Sequence, residues 1–191
     1  MALLNSAAGY GALTKLLHWA IALLFLLQYG CAAVMLRTPD GDAAGAVVSQ
    51  ATLYNWHKSI GLVALVVAVL RLINRRAGSL PPWAPTITPV EKIIIHRAEQ
   101  VLYGAMLVMP LTGFIYVMAG GYGVRLFGVF DLPNPMPEWS AVARSARWLH
   151  VASAYLLLLP LGAHLGIVLA HHLGLRDGLL RRMLPRAGRA R

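Results

Sequence analysis

Cysteine and charge are both scarce in this chain, and each shortage excludes whole classes of protein. Cys31 is the one cysteine among 191 residues, so no internal disulfide and no cysteine-based metal centre can form. It lies in an apolar run, where a thiol reads as a small packing residue. The Gln28-Tyr29-Gly30 before it lacks the small and aliphatic residues that precede a lipidated cysteine. Charged residues make up 13% of the chain and hydrophobic ones 58%, whereas a soluble domain carries about 25% charged residues. Acidic residues are the scarcest, 7 against 17 Lys and Arg, for a net charge of +10. Nucleic-acid binding would gather such an excess on one polar face. Here the basic residues sit at the ends of apolar segments, as topology signals and lipid-headgroup contacts do, so lipid is expected as a partner and nucleic acid is not.

Long apolar runs are plentiful. Residues 13–36, 54–73, 91–119 and 148–173 each reach the roughly 20 residues needed to cross a hydrocarbon core. The first is too long for a signal-peptide core, and three more follow it. Thr38-Pro39-Asp40-Gly41-Asp42 is loop chemistry, Pro81-Pro82-Trp83-Ala84-Pro85 a stiff extended connector, and residues 120–143 the longest link. Pro110 and Pro160 fall inside spans, where neighbouring helices can re-satisfy the freed carbonyls. With no repeats and no second domain, the expectation is one integral membrane domain over residues 1–191, an all-α, four-helix transmembrane bundle.

Lys and Arg placement orients it. An inside N-terminus puts Lys15, Arg71, Arg75, Arg76, Lys92, Arg97, Arg176, Arg181, Arg182, Arg186, Arg189 and Arg191 on the cytoplasmic side. Arg37, Lys58, Arg125, Arg144 and Arg147 are left outside. That asymmetry predicts both termini in the cytoplasm.

Four of the seven histidines, His18, His57, His150 and His164, lie at matching depths within the spans, and an ionisable ring inside a bilayer is costly enough to mark function by default. His150 and His164 are fourteen residues apart on one span, which returns nearly to the same helix face and separates the rings by roughly 21 Å. By depth, His57 pairs with His150 near the outer face and His18 with His164 near the inner one. Interhelical hydrogen bonding would account for one such histidine, but not readily for four at two matched depths. Zinc would want three or four ligands converging in one place. Two layers of paired imidazoles instead suit two haems stacked inside the bundle, with His18, His57, His150 and His164 as axial ligands to the iron.

Other residues carry two readings each. His96, followed by Arg97 and Glu99, sits in a charged, interfacial turn; a role near propionates, protons or quinone is favoured over ligation. His171, seven residues after His164, falls on the same face two turns nearer the cytoplasm, placed to meet a substrate approaching the inner haem. Arg71, fourteen residues after His57, is either a snorkelling anchor or a propionate partner. Gly30, Gly61, Gly104, Gly113 and Gly162 let backbones approach or leave room for a macrocycle.

Leu16-Leu17-His18-Trp19, Asn55-Trp56-His57-Lys58-Ser59-Ile60-Gly61, Gly162-Ala163-His164 and the tail from Ala170-His171-His172 to Arg182-Met183-Leu184-Pro185-Arg186 resemble the prokaryotic cytochrome b561 family in its four-helix, di-haem form. One departure is Trp148-Leu149-His150, where the family pattern has tryptophan directly before the histidine. The resemblance implies two haems b, the same four ligands, a polar non-ligand at His96 and a multi-pass place in the bacterial inner membrane. Its close relatives look like superoxide oxidases, which pass an electron from superoxide at the outer face through both haems to ubiquinone. On that reading Lys58, Arg144 and Arg147 steer superoxide, or are ordinary interfacial cations. His171, with Lys15 or Arg71 nearby, serves the quinone side, and no protein partner is required. The competing readings are a cytochrome b subunit anchoring a hydrogenase or dehydrogenase, and a quinol-fed carrier running the other way.

Overall fold

The computed structural model describes residues 2–38 and 48–184. The loop expected from Pro39 to Asp42 and the cations Arg186, Arg189 and Arg191 lie outside the described residues. Four helices, each long and apolar enough to cross a membrane, make up most of the described chain: α1 (Ala12–Met35), α2 (Gln50–Ala77), α3 (Pro89–Ala119) and α4 (Ser140–Leu169). The last continues as a π-helical turn, Ala170–Leu175, so that the span runs over Ser140–Leu175.

Helix ends extend beyond the apolar runs because local chemistry caps them further out. Helix α2 starts at Gln50 rather than at residue 54, since the Ser49 side chain accepts from the Thr52 amide. Helix α3 starts at Pro89, behind a capping box between Thr88 and Glu91. Helix α4 gains two turns at its start, where Ala143 and Ala146 are buried although the turn is otherwise polar. Helix α1 has no side-chain cap. Its first amides are taken instead by the N-terminal segment, with Ala12 and Leu13 donating to the carbonyls of Ala2 and Leu3. Only glycine fits at position 11, because a Cβ there would lie 2.4 Å from the Leu3 carbonyl oxygen.

Helices α1 and α2 pack as one close pair and α3 and α4 as another, joined through α2 against α3. Small residues allow the approach: Ala64 and Ala68 of α2 pack with Ile21 of α1 and Met106 of α3. Ala105 and Met109 of α3 pack with Leu157 of α4. Large apolar side chains such as Leu26, Leu159 and Tyr155 point outward and stay exposed. A soluble bundle would hide them; lipid does not require it. The Tyr29 hydroxyl ties α1 to α4 by donating to the Ala154 carbonyl at 2.5 Å.

The two ends of the bundle are closed differently. One end carries a hairpin, β1 (Arg125–Leu126) and β2 (Phe130–Asp131), turned by Phe127 and Gly128, both at positive φ. The fully buried Ser59 of α2 fastens it: its hydroxyl donates to the Asn55 carbonyl and accepts from the Phe127 amide at 2.8 Å. At the other end, both terminal segments meet. Lys15 and Trp19 of α1 donate to the carbonyls of Leu184 and Met183, each at 2.9 Å, and Arg182 donates to the Pro82 carbonyl.

Candidate functional site

At the hairpin end, the rings of His57 from α2 and His150 from α4 face one another with centroids 6.1 Å apart. At the terminal end, His18 from α1 and His164 from α4 do the same, again at 6.1 Å. The pairs are those expected from depth. A metal bound to one nitrogen of each ring at about 2.0 Å, plus about 1.1 Å from nitrogen to ring centre, requires a centroid separation near 6.2 Å. Both pairs meet that spacing. Among the described residues there is no group of three or more His, Cys, Asp or Glu able to hold a metal ion.

His150 is also turned the right way. Its Nδ1 lies 2.7 Å from the Met109 carbonyl oxygen, to which it can only donate, so Nε2 is the free nitrogen and faces away from α3. Gly113 makes room for this: a Cβ there would fall 2.8 Å from His150 Nδ1. Trp148, two residues earlier, is exposed, so the altered tryptophan spacing leaves this seat untouched. His57 is placed through its backbone, whose carbonyl accepts from Gln28 of α1 at 2.9 Å, and Gly61 gives that amide its space. Around Gly30, Gly104 and Gly162 no atom lies within 4 Å of where a Cβ would be. The packing role expected of the glycines therefore falls to Gly61 and Gly113.

Buried donors without partners complete the site. They are Nδ1 of His18, Nδ1 of His57, and Nε and Nη1 of Arg71. A buried guanidinium is expensive unless something anionic meets it. Arg71 stacks on Tyr103, 5.5 Å from the ring centre. Its Nε and Nη1 are enclosed while the residue as a whole is half-buried, an arrangement that suits either of its expected roles, partnering a carboxylate or anchoring near the surface. The residues present thus fit a haem at each pair, with four imidazoles for two irons and Arg71 for a propionate.

His171 departs from its expected surroundings. The π-helical turn begins at Ala170, which changes the direction an α-helix would have given the ring. It is 1% exposed and lies between two carboxylates, Asp177 at 2.5 Å from Nδ1 and Glu91 at 3.1 Å from Nε2. Asp177 also accepts from Thr86 and from the Leu179 amide. A ring enclosed in this way does not touch a substrate directly; it holds a proton between two acids, one of them partly open to the surface. π-Helical turns gather at functional positions. Glu91, Asp177 and Gln28 were not legible as partners in the sequence, since each acts across a turn or from another helix.

The hydrogen bond to His171, then those from Thr86 and Leu179, hold the Asp177 carboxyl down at about 2, below its ordinary value of 3.8. Its anchoring of the tail is therefore complete above about pH 4 and lost as pH falls toward 2. Hydrogen exchange in residues 178–184 should accelerate over that window. In Asp177→Asn exchange should be fast throughout and flat.

The cations at the hairpin end are not one cluster. Lys58 donates to the Gly123 carbonyl at 2.9 Å. Arg144 and Arg147 line a separate recess of about 780 Å³ with Tyr116, Tyr122 and Glu138. His96 lies on the exposed face of α3, its Nε2 3.2 Å from the Gln100 amide nitrogen. His96→Ala should therefore keep both Soret intensity and low-spin character unchanged. Loss of one haem in that variant would reassign the terminal-end ligands.

The model of a family described as prokaryotic cytochrome b561 matches residues 9–186. The chain is 26% identical to cytochrome b561 homolog 2 of Escherichia coli (strain K12), over 98% of this chain and 97% of that protein. It is 25% identical to the probable superoxide oxidase CybB of Yersinia pestis, over 93% and 96%. It is 28% identical to cytochrome b562 of Cereibacter sphaeroides, over 92% and 95%.

Proposed function

The chain belongs to the prokaryotic cytochrome b561 family, membrane electron-transfer proteins of the bacterial inner membrane, and from that premise we propose that it is a di-haem superoxide:ubiquinone oxidoreductase. Electrons enter at the hairpin end, facing the periplasm, and leave at the terminal end, where both termini lie in the cytoplasm. Two superoxide anions each lose one electron and depart as dioxygen. One ubiquinone gains those two electrons with two protons and becomes ubiquinol.

The observation that carries this reading is the repetition of one ring spacing, 6.1 Å, at both ends of a single bundle. Haem b, when bound, supplies a one-electron centre that changes oxidation state without changing its ligands. The chain does the rest. His57 and His150 would hold one haem, His18 and His164 the other, with Arg71 on a propionate. Arg144 and Arg147 stand within two turns of His150 on the same helix and provide a positive field for a small anion. Lys58 adds to that field, although its ammonium is already tied to a carbonyl. At the far end, the enclosed His171 with the more open Glu91 forms a proton-holding pair that would serve quinone reduction.

Stopped-flow mixing of the purified oxidised protein with superoxide is the deciding measurement. Rapid haem reduction, followed by reoxidation on adding a short-chain ubiquinone, is expected. Haems inert to superoxide but reduced by a co-purifying dehydrogenase would replace this reading with that of an anchoring cytochrome b subunit.

A further inference from the structure

The two ring pairs differ in what surrounds them. At the hairpin end, the Met109 carbonyl accepts from His150 Nδ1 at 2.7 Å. That acceptor draws the N–H proton toward itself and pushes electron density onto Nε2, making the ring a more basic ligand. A more basic ligand favours the more positive, oxidised iron. Nδ1 of His57 and Nδ1 of His18 are both buried without a partner, so His150 alone carries this effect, and it does so at the hairpin end. The terminal-end pair has instead the Arg71 guanidinium, fourteen residues beyond His57 along α2, with Nε and Nη1 buried and unpartnered. A buried positive charge favours the reduced state of its neighbour. If Arg71 also takes up a propionate, it cancels that negative charge and works in the same direction.

Opposing charges do not reverse this. Lys58 follows His57 in sequence, but its ammonium is tied to the Gly123 carbonyl in the 120–139 link at 2.9 Å. Arg144 and Arg147 are exposed, so water and salt screen them more than they screen the two enclosed nitrogens of Arg71. Glu99, the acid acting on His164, is neutralised by Arg75 at 2.9 Å.

We propose that the Met109 carbonyl, acting on the His150 ring that Gly113 accommodates, and the half-buried Arg71 with its two enclosed nitrogens together set the hairpin-end haem at the lower reduction potential and the terminal-end haem at the higher. This rests on reading the pairs as haem ligands. Transfer from the hairpin end to the terminal end is then downhill by the chain's own design, whatever the donor. Met109 and Gly113 act through His150 and are positioning residues.

Redox titration of the purified protein in detergent tests this with no superoxide or quinone present. The wild type should show two midpoints, and His57→Ala should abolish the lower. In Gly113→Ala the new methyl displaces His150 from Met109, so the lower midpoint should rise while the upper stays. A tenfold change in the one-electron equilibrium would read as about 59 mV. Arg71→Gln should lower the upper midpoint alone. Should Gly113→Ala shed its haem, the wild-type order and Arg71→Gln decide. Loss of the higher midpoint in His57→Ala overturns the proposal, as do midpoints unmoved by the glycine and arginine variants. A negative superoxide experiment with this order intact would fault the donor and leave the inference standing. A wild type without low-spin haem would fault the ligand reading itself.

Discussion

Alanine at His57 or His150 should cost the protein about half of its haem, and alanine at His18 or His164 the other half. Bis-imidazole ligation needs both rings of a pair, because iron–nitrogen bonds are the main tether of a b-type haem, which has no covalent attachment to the chain. The two pairs occupy opposite ends of the bundle, with ring centroids 6.1 Å apart in each. Loss at one end should therefore leave the other spectrally intact. Pyridine-haemochrome quantification gives the number, and low-temperature absorbance the identity of the survivor. The two single variants within a pair should give the same spectrum. The double variant His57→Ala/His164→Ala should retain no bis-histidine haem. A crossed pattern, in which His57→Ala and His18→Ala lose the same haem, would sink the pairing. So would an intact chain that carries only one.

The second large effect separates entry from exit. Neutralising Lys58, Arg144 and Arg147 together should slow haem reduction by superoxide by about tenfold or more, since steering raises association rates by about 10–1000-fold. The salt dependence of that step should flatten, because the steering field is screened over about 8–10 Å. Arg144 and Arg147, which share one recess, should carry more of the loss than Lys58, whose ammonium is occupied by Gly123. Haem content should not change. His171→Ala should do the reverse: fast reduction by superoxide and slow exit to quinone, by at most about 10²–10⁴-fold if the ring relays the proton that its more open partner Glu91 delivers. Glu91→Gln should reproduce part of that loss, because Glu91 lies 3.1 Å from His171 and is its more open partner. If His171→Ala slows both phases equally, the ring is structural and the proton enters elsewhere.

Most of the bundle was legible in the sequence because membrane spans are written in composition. A run of apolar residues the length of a bilayer needs no knowledge of its partners. The histidine pairing was legible for a related reason: fourteen residues on one helix fix both a face and a depth. What stayed hidden depended on the backbone. Ser49 and Thr88 start their helices several residues before the apolar pattern does, and α4 extends back through a polar turn to Ser140. The surroundings of His171 could not be read by counting residues, because the π-helical turn breaks the α-helical spacing used to project its direction. The donation from His150 to Met109 runs to a main-chain atom, which no residue type announces. Gly113 was visible as a glycine in a span, but its reason lies on another helix.

Helix α4 contributes one ring to each pair, and among the described residues it follows the other three spans. The order of synthesis therefore bears on cofactor loading. On the proposed ligation, His18 and His57 each lack the opposite ring until α4 has left the ribosome and entered the bilayer, so neither proposed haem would gain its second iron–nitrogen bond before then. Capture at the two ends would thus be gated by one insertion event rather than by two successive ones. A chain stalled or truncated before residue 150 should accumulate without six-coordinate haem at either end, however well its first three helices are inserted. On that ligation, haem supply would have to match the arrival of this single helix, and a shortage should yield empty bundles alongside full ones.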